Sequence, residues 1–174
     1  MNKTTNNNKK TLMATVGAAC CAILLGVGTS PGFTERFEGM RLSAYLDPVG
    51  IPTVCAGETL GVTMNQRHTL EECRAMLEQG LIRHAEPVLK CAPYLQGKPF
   101  ALAASVDQAF NFGVSAFCKS SMNRAFAAND YKTACIRFNE GPTGKAQWVY
   151  AGGKPLPGLV KRAKARRELC ERGL

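Results

Sequence analysis

At 174 residues the chain is long enough for one domain with a proper core plus an appendage, and too short for two ordinary domains. Its formal charge of +9 favours an anionic partner, whether nucleic acid, an anionic membrane or an acidic cell-wall polymer, although Lys3, Lys9 and Lys10 of the N-terminal tail supply three of those charges. Two histidines and no Cys-x-x-Cys spacing argue against a zinc site.

Residues 1–10, rich in Asn, Lys and Thr, read as a disordered basic tail. No charge occurs from Thr11 through Thr34, and a helix over residues 11–30 would rise by about 30 Å, enough to cross a bilayer core. The preceding lysines would hold the tail in the cytoplasm and place everything after Ser30 on the far side. Gly17, Gly26 and Gly28 make this a weakly apolar transmembrane segment. A cleaved signal peptide, cut near Gly26-x-Gly28 or Gly28-x-Ser30, is the other reading, and both export the domain.

Residues 31–174 read as one α+β domain. Thr34 is placed to cap a short helix through Glu38, which Gly39 ends. The Pro, Gly and β-branched content from Leu42 to Leu60 predicts a small hairpin or three short strands. Thr69-Leu70-Glu71-Glu72 is a capping-box start for a long helix to Lys90, and the apolar run from Pro99 to Phe112 predicts a central buried helix. Shorter helices follow over residues 120–128 and 131–138, with Asp130 as a cap. A Gly- and Pro-rich loop from Gly141 to Pro157 then leads to a basic helix ending near Cys170. Lys161, Arg162, Lys164, Arg166, Arg167 and Arg172 of that helix read first as a solvated face, and second as a wall- or lipid-binding patch.

Eight cysteines suit an oxidising compartment. Cys20 and Cys21 fall inside the apolar segment, as filler or as thiols that exchange with a disulfide after release. Cys55, near Thr53, is the suggestive partner for such exchange. Cys55, Cys73, Cys91, Cys118, Cys135 and Cys170 form an even set that allows about 15 connectivities, and free buried thiols are the alternative.

Glycoside hydrolysis needs an acid for the leaving oxygen and a second group across the sugar ring. Glu38, at a helix C-terminus whose dipole disfavours its anion, suits the acid; Asp47 on the polar hairpin suits the ionised partner. Thr53 is placed to hydrogen-bond a water held by Asp47, which favours inversion. Without such chemistry these would be a solvated helix end, a turn and an ordinary strand residue.

The spacing Glu38-x8-Asp47-x5-Thr53 resembles the catalytic triad of the phage-type lysozymes, a glycoside hydrolase family. The likeness extends through Thr53-Val54-Cys55-Ala56-Gly57, Phe110-Asn111-Phe112-Gly113, Ala116-Phe117-Cys118-Lys119-Ser120 and Trp148 to Arg162, covering the chain from about Phe33 onward. With the weak anchor in front, the chain is similar to the signal-anchor-release endolysins, which leave the inner membrane for the periplasm and digest peptidoglycan.

The resemblance implies a lysozyme-like fold, with a small hairpin lobe and a larger helical lobe. It also implies a muramidase cleaving the β-1,4 bond between N-acetylmuramic acid and N-acetylglucosamine, acting as a monomer with no cofactor or metal. Glu38 would be the acid, Asp47 the base or water-orienting carboxylate and Thr53 its partner. Asn111 would face the cleft and bind sugar, or else satisfy buried backbone groups. The family-like disulfides would be Cys55–Cys73, Cys91–Cys118 and Cys135–Cys170. Glu58 departs from the pattern, standing where many relatives carry His. A lytic transglycosylase or a non-catalytic wall-binding membrane protein are the alternatives; export and the lack of a groove-reading motif argue against nucleic acid.

Overall fold

The computed structural model describes residues 2–26, 31–47 and 50–174, with side chains from Asn6 onward. Two helices open the chain, α1 (Asn2–Val16) and α2 (Ala18–Leu25), where the sequence predicts a disordered tail and one continuous span. Gly17, with φ of +81°, breaks the helix between them. That break lets Leu12 and Val16 face α4 (Leu70–Cys91) while Cys20, Cys21 and Leu24 face α5 (Pro99–Phe112), all of them buried. A segment too rich in Gly, Ala and Thr to be comfortable in lipid still has an apolar face, and tertiary packing uses it. Among the described residues no helix is long and apolar enough to cross a membrane. The eight residues of α2 rise by only ~12 Å at ~1.5 Å each.

The short helix α3 (Glu35–Glu38) ends at Gly39, whose φ of +68° turns the chain out of the helix. Thr34 does not cap it in the expected way. Its own backbone is already helical and its hydroxyl makes no cap bond, so Phe37 and Glu38 N–H groups donate to the Thr34 carbonyl instead.

Strands β1 (Arg41–Leu46) and β2 (Pro52–Cys55) pair antiparallel in the register Tyr45↔Thr53 and Leu46↔Pro52, with an irregularity between Arg41 and Tyr45. Residues 66–68 extend this lobe along β1, where Ala44 N–H donates to the Gln66 carbonyl and His68 N–H to that of Leu42. Val54, Cys55 and Cys73 form a small core of its own beneath the hairpin.

The long helix α4 (Leu70–Cys91) begins with the predicted capping box, Thr69 and Glu72 each bonding the other's backbone N–H. At the centre lies α5 (Pro99–Phe112), with every residue from Ala101 to Ala109 buried and α2, α4, α6 (Val114–Cys118) and α9 (Pro157–Glu171) packed around it. Ser120 caps α7 (Ser121–Ala127) and Asp130 caps α8 (Tyr131–Ile136). The Gly-rich loop before α9 contains a two-residue hairpin, β3 (Tyr150–Ala151) with β4 (Lys154–Pro155).

Three disulfides staple these parts. Cys55–Cys73 ties the hairpin lobe to α4, Cys91–Cys118 ties α4 to α6, and Cys135–Cys170 ties α8 to α9. Cys20 and Cys21 are free and buried, and the part of the apolar segment that carries them belongs to the main hydrophobic core.

Candidate active site

Glu38 stands at the last turn of α3, three residues before the hairpin begins, and its side chain is only 17% exposed. One carboxylate oxygen, Oε1, accepts from Arg162 Nη1 at 2.5 Å. The other, Oε2, lies 3.8 Å from the place a Cβ would take on Gly57, so the carboxyl reaches the chain just beyond β2. Burial pushes the Glu38 carboxyl above its ordinary value, and the neighbouring Arg162 charge and hydrogen bond pull the other way without overturning it.

Two open depressions meet at this residue. One, of about 320 Å³, is bordered by Glu38, Gly57, Glu58, Arg83, His84 and Asn111. The other, of about 570 Å³, is bordered by Glu38, Phe37, Asn111, Leu159, Lys161 and Arg162. Glu38 and Asn111 belong to both, which puts a shielded acid between the two depressions.

Asp47 and Thr53 sit at the base of the hairpin turn, tied to the same residue. Asp47 Oδ1 accepts from Ile51 N–H at 2.8 Å, and the Thr53 hydroxyl donates to the Ile51 carbonyl at 2.9 Å. Asp47 is half-buried, whereas Thr53 is almost fully buried. The hairpin turn thus brings Asp47 and Thr53 together on Ile51, while neither of them borders the two depressions that meet at Glu38. Asn111 Oδ1 accepts from Arg166 Nη2 at 3.0 Å, which fixes its amide at the groove wall. Glu58, the departure from the family pattern, accepts from Arg83 Nη2 at 2.7 Å and from the Thr59 and Leu60 N–H groups. Burial works to raise the Glu58 carboxyl, and these bonds more than offset it, holding it below the ordinary range.

Sequence reasoning missed what stands behind Glu38. Asp107, wholly buried on α5, binds both Arg162 and Arg166 of α9. Burial alone would raise the Asp107 carboxyl, but the two guanidinium groups hold it below its ordinary value. Burial lowers Arg166 to about 10, so it is still a cation at neutral pH. The basic terminal helix is therefore not simply a solvated face: Lys161, Lys164 and Arg172 are exposed, while Arg162 and Arg166 point into the core. One signal does point to the cluster, a single acidic residue in an otherwise apolar helix, since a buried charge requires a partner. Among the described residues no group of His, Cys, Asp and Glu side chains is arranged to hold a metal ion.

A hairpin lobe and a helical lobe, with a shielded carboxyl on the short helix that leads into the hairpin, define a lysozyme-like protein. The chain belongs to the phage lysozyme family, whose model matches residues 35–166. It is 30% identical over 165 residues to the SAR-endolysin of Bacteriophage PS119, an alignment covering 93% of each chain. The SAR-endolysin of Enterobacteria phage P21 is 30% identical over 168 residues, covering 93% of this chain and 94% of that one. The crystal structure of the active form of the P1 phage endolysin Lyz shares the fold, with a TM-score of 0.71 at 21% identity over 97% of this chain and 94% of that one.

Proposed function

We propose that this protein is an endolysin that hydrolyses the β-1,4 bond between N-acetylmuramic acid and N-acetylglucosamine in peptidoglycan, and so lyses the host cell. The observation that carries this reading is Glu38 itself, whose burial pushes its carboxyl above the ordinary value and which borders an open depression on each side. A general acid has to arrive at the glycosidic oxygen with its proton on, and a buried carboxyl does so at a pH where a solvated one has lost it. Asp47 then acts from the hairpin as the base or water-orienting carboxylate. The Thr53 hydroxyl, held by the Ile51 carbonyl, has lone pairs left to accept from that water. A water between carboxylate and sugar gives inversion. The Asn111 amide nitrogen, left free by the Arg166 contact, is the donor assigned to a sugar oxygen. No step calls for a metal or cofactor.

Mass analysis of the released muropeptides tests the reaction. Hydrolysis leaves reducing ends; 1,6-anhydro ends would make the protein a transglycosylase and remove the role given to Asp47. Intact sacculi would leave only wall binding.

We further propose that residues 11–30 are held in the host inner membrane with the catalytic domain periplasmic, and that release lets residues 11–25 pack as the end of α1 and as α2 against α4 and α5. The names of the PS119 and P21 relatives support this, as does the charge-free stretch after Lys10. A Gly-rich segment gains little per residue from lipid, and the buried seats of Leu12, Val16 and Leu24 offer it an alternative. Cys20 and Cys21 are sealed from solvent in those seats, so any exchange with the Cys55–Cys73 bond takes place while α2 is out of them. Replacing Gly26 and Gly28 with leucine should trap the protein in the membrane fraction and delay lysis; unchanged fractionation would sink the release mechanism.

A further inference from the structure

Behind the acid, α5 and α9 build a buried ionic cluster to which the steps above assign no role. Arg162 divides its guanidinium between two carboxylates. Its Nε donates to Asp107 Oδ2 at 3.0 Å and its Nη2 to Asp107 Oδ1 at 2.8 Å, a fork that leaves Nη1 for Glu38. Arg166 donates to the same Asp107 Oδ2 from Nε at 2.5 Å, and to Gln108 Oε1 and Asn111 Oδ1 at 2.9 and 3.0 Å. Asp107 and Arg166 are fully buried and Arg162 is 4% exposed.

The charge balance of this cluster bears on the proton of Glu38. With Glu38 protonated, the two arginines and Asp107 sum to one positive charge; without Asp107 they would sum to two, in a region where water screens little. A second uncompensated cation beside Glu38 would favour its carboxylate, the form that has no proton to give. The fork matters as well, because a guanidinium with a free edge can turn toward Glu38 and grip both of its oxygens.

We propose that Asp107 is a positioning residue for the reaction: it clamps one edge of Arg162 and cancels one arginine charge, so that Arg162 orients Glu38 without stripping its proton. This rests on Glu38 being the general acid. The other charged or titratable groups around the two depressions are Arg36 on α3, Glu58 after β2, Arg83 and His84 on α4, and Lys161 on α9. Each is at least partly exposed, and Glu58 and Arg83 neutralise each other at 2.7 Å, so water screens them in a way it cannot screen Asp107.

The test reads the pH dependence of sacculus solubilisation and, separately, the carbon-13 titration of the Glu38 carboxyl, assigned by its loss in Glu38→Gln. In Asp107→Asn both the alkaline limb and the Glu38 titration should move down by about one pH unit, the order of effect one nearby charge has on a carboxyl. In Arg166→Gln both should move up, and the charge-balanced double variant should return close to the parent. A purely structural Asp107 would lower the rate at every pH and leave the limb in place, and that result in a folded Asp107→Asn overturns the proposal. Should Asp107→Asn not fold, Arg166→Gln decides by its opposite sign, and a limb that fails to rise overturns the proposal equally. Full lysis by Glu38→Gln would instead overturn the acid assignment, while the carboxyl titration would still report what Asp107 does to Glu38.

Discussion

Replacing Gly32 with alanine tests whether the N-terminal helices are an integral part of the folded domain. A Cβ on Gly32 would lie 2.3 Å from the Leu24 carbonyl oxygen, 2.5 Å from the Leu25 carbonyl carbon and 2.8 Å from the Gly26 nitrogen. All three are backbone atoms at the end of α2, so no side-chain rotation relieves the contact; either α2 or residues 31–33 must retreat. Retreat opens the bond from Phe33 N–H to the Ile23 carbonyl, 3.0 Å long, which is worth about 1 kcal/mol. Overpacking the seat of Leu24 costs about a further 1–3 kcal/mol. The sum, roughly 2–4 kcal/mol, corresponds to a fall in Tm of roughly 4–16 °C for a chain of this size. The assay is a far-UV circular dichroism melt of the purified, oxidised protein in detergent-free buffer. Gly158→Ala is the control, because a Cβ there meets nothing within 4 Å and alanine in the first turn of α9 should leave the Tm equal or slightly higher. If Gly32→Ala melted within about 2 °C of the parent, α2 would not be held against residues 32–33 and the N-terminal packing would be refuted.

Glu78, on α4 beneath α1, is buried with Oε2 lacking a hydrogen-bond partner among the described residues, and burial raises its carboxyl while the charge of Lys9 pulls it down. A carboxyl raised on folding lends stability at low pH that is lost as pH climbs from the ordinary value of 4.5 through the folded one. Glu78→Gln should therefore raise the Tm at neutral pH and leave it unchanged at pH near 4; a Tm gain independent of pH would show that the charge is not the cause. Replacing Cys135 and Cys170 together with serine should lower stability by about 2–5 kcal/mol in a denaturant titration, since the bond closes a loop of 35 residues and holds down the helix that carries Arg162 and Arg166. A midpoint unchanged from the parent would mean that packing alone seats α9.

Elements whose signals are local are legible in the amino-acid sequence. The capping box at Thr69 and Glu72, the apolar run of α5 and the stop at Gly39 each act over a few residues, and each stands where the pattern puts it. The stretch that carries Glu38, Asp47 and Thr53 is legible for the same reason, and it folds as the helix end and hairpin its pattern predicts. The N-terminal helices are not. An uncharged run of Ala, Gly, Leu and Cys has the same composition whether lipid or the faces of α4 and α5 cover it, and Gly17 inside a span looks like any tolerated glycine. The inward arginines are hidden for a different reason. Arg162 and Arg166 lie on a helix whose other cations are solvated, and what buries them is Asp107, 55 and 59 positions earlier in the chain. Thr34 shows the reverse failure, a residue type suited to a cap whose backbone is already helical, so its hydroxyl is unused there.

The loss of the Glu38 proton is the most direct challenge to the catalytic reading. Glu38→Gln keeps the shape of the side chain and leaves an oxygen for Arg162 Nη1 to meet, but it cannot transfer a proton to the glycosidic oxygen. In a solubilisation assay on purified sacculi, with a melting curve to show that the variant is folded, the rate should fall by about 10²–10⁴-fold. A folded Glu38→Gln protein that digests sacculi at the parental rate would contradict the assignment of Glu38 as the acid.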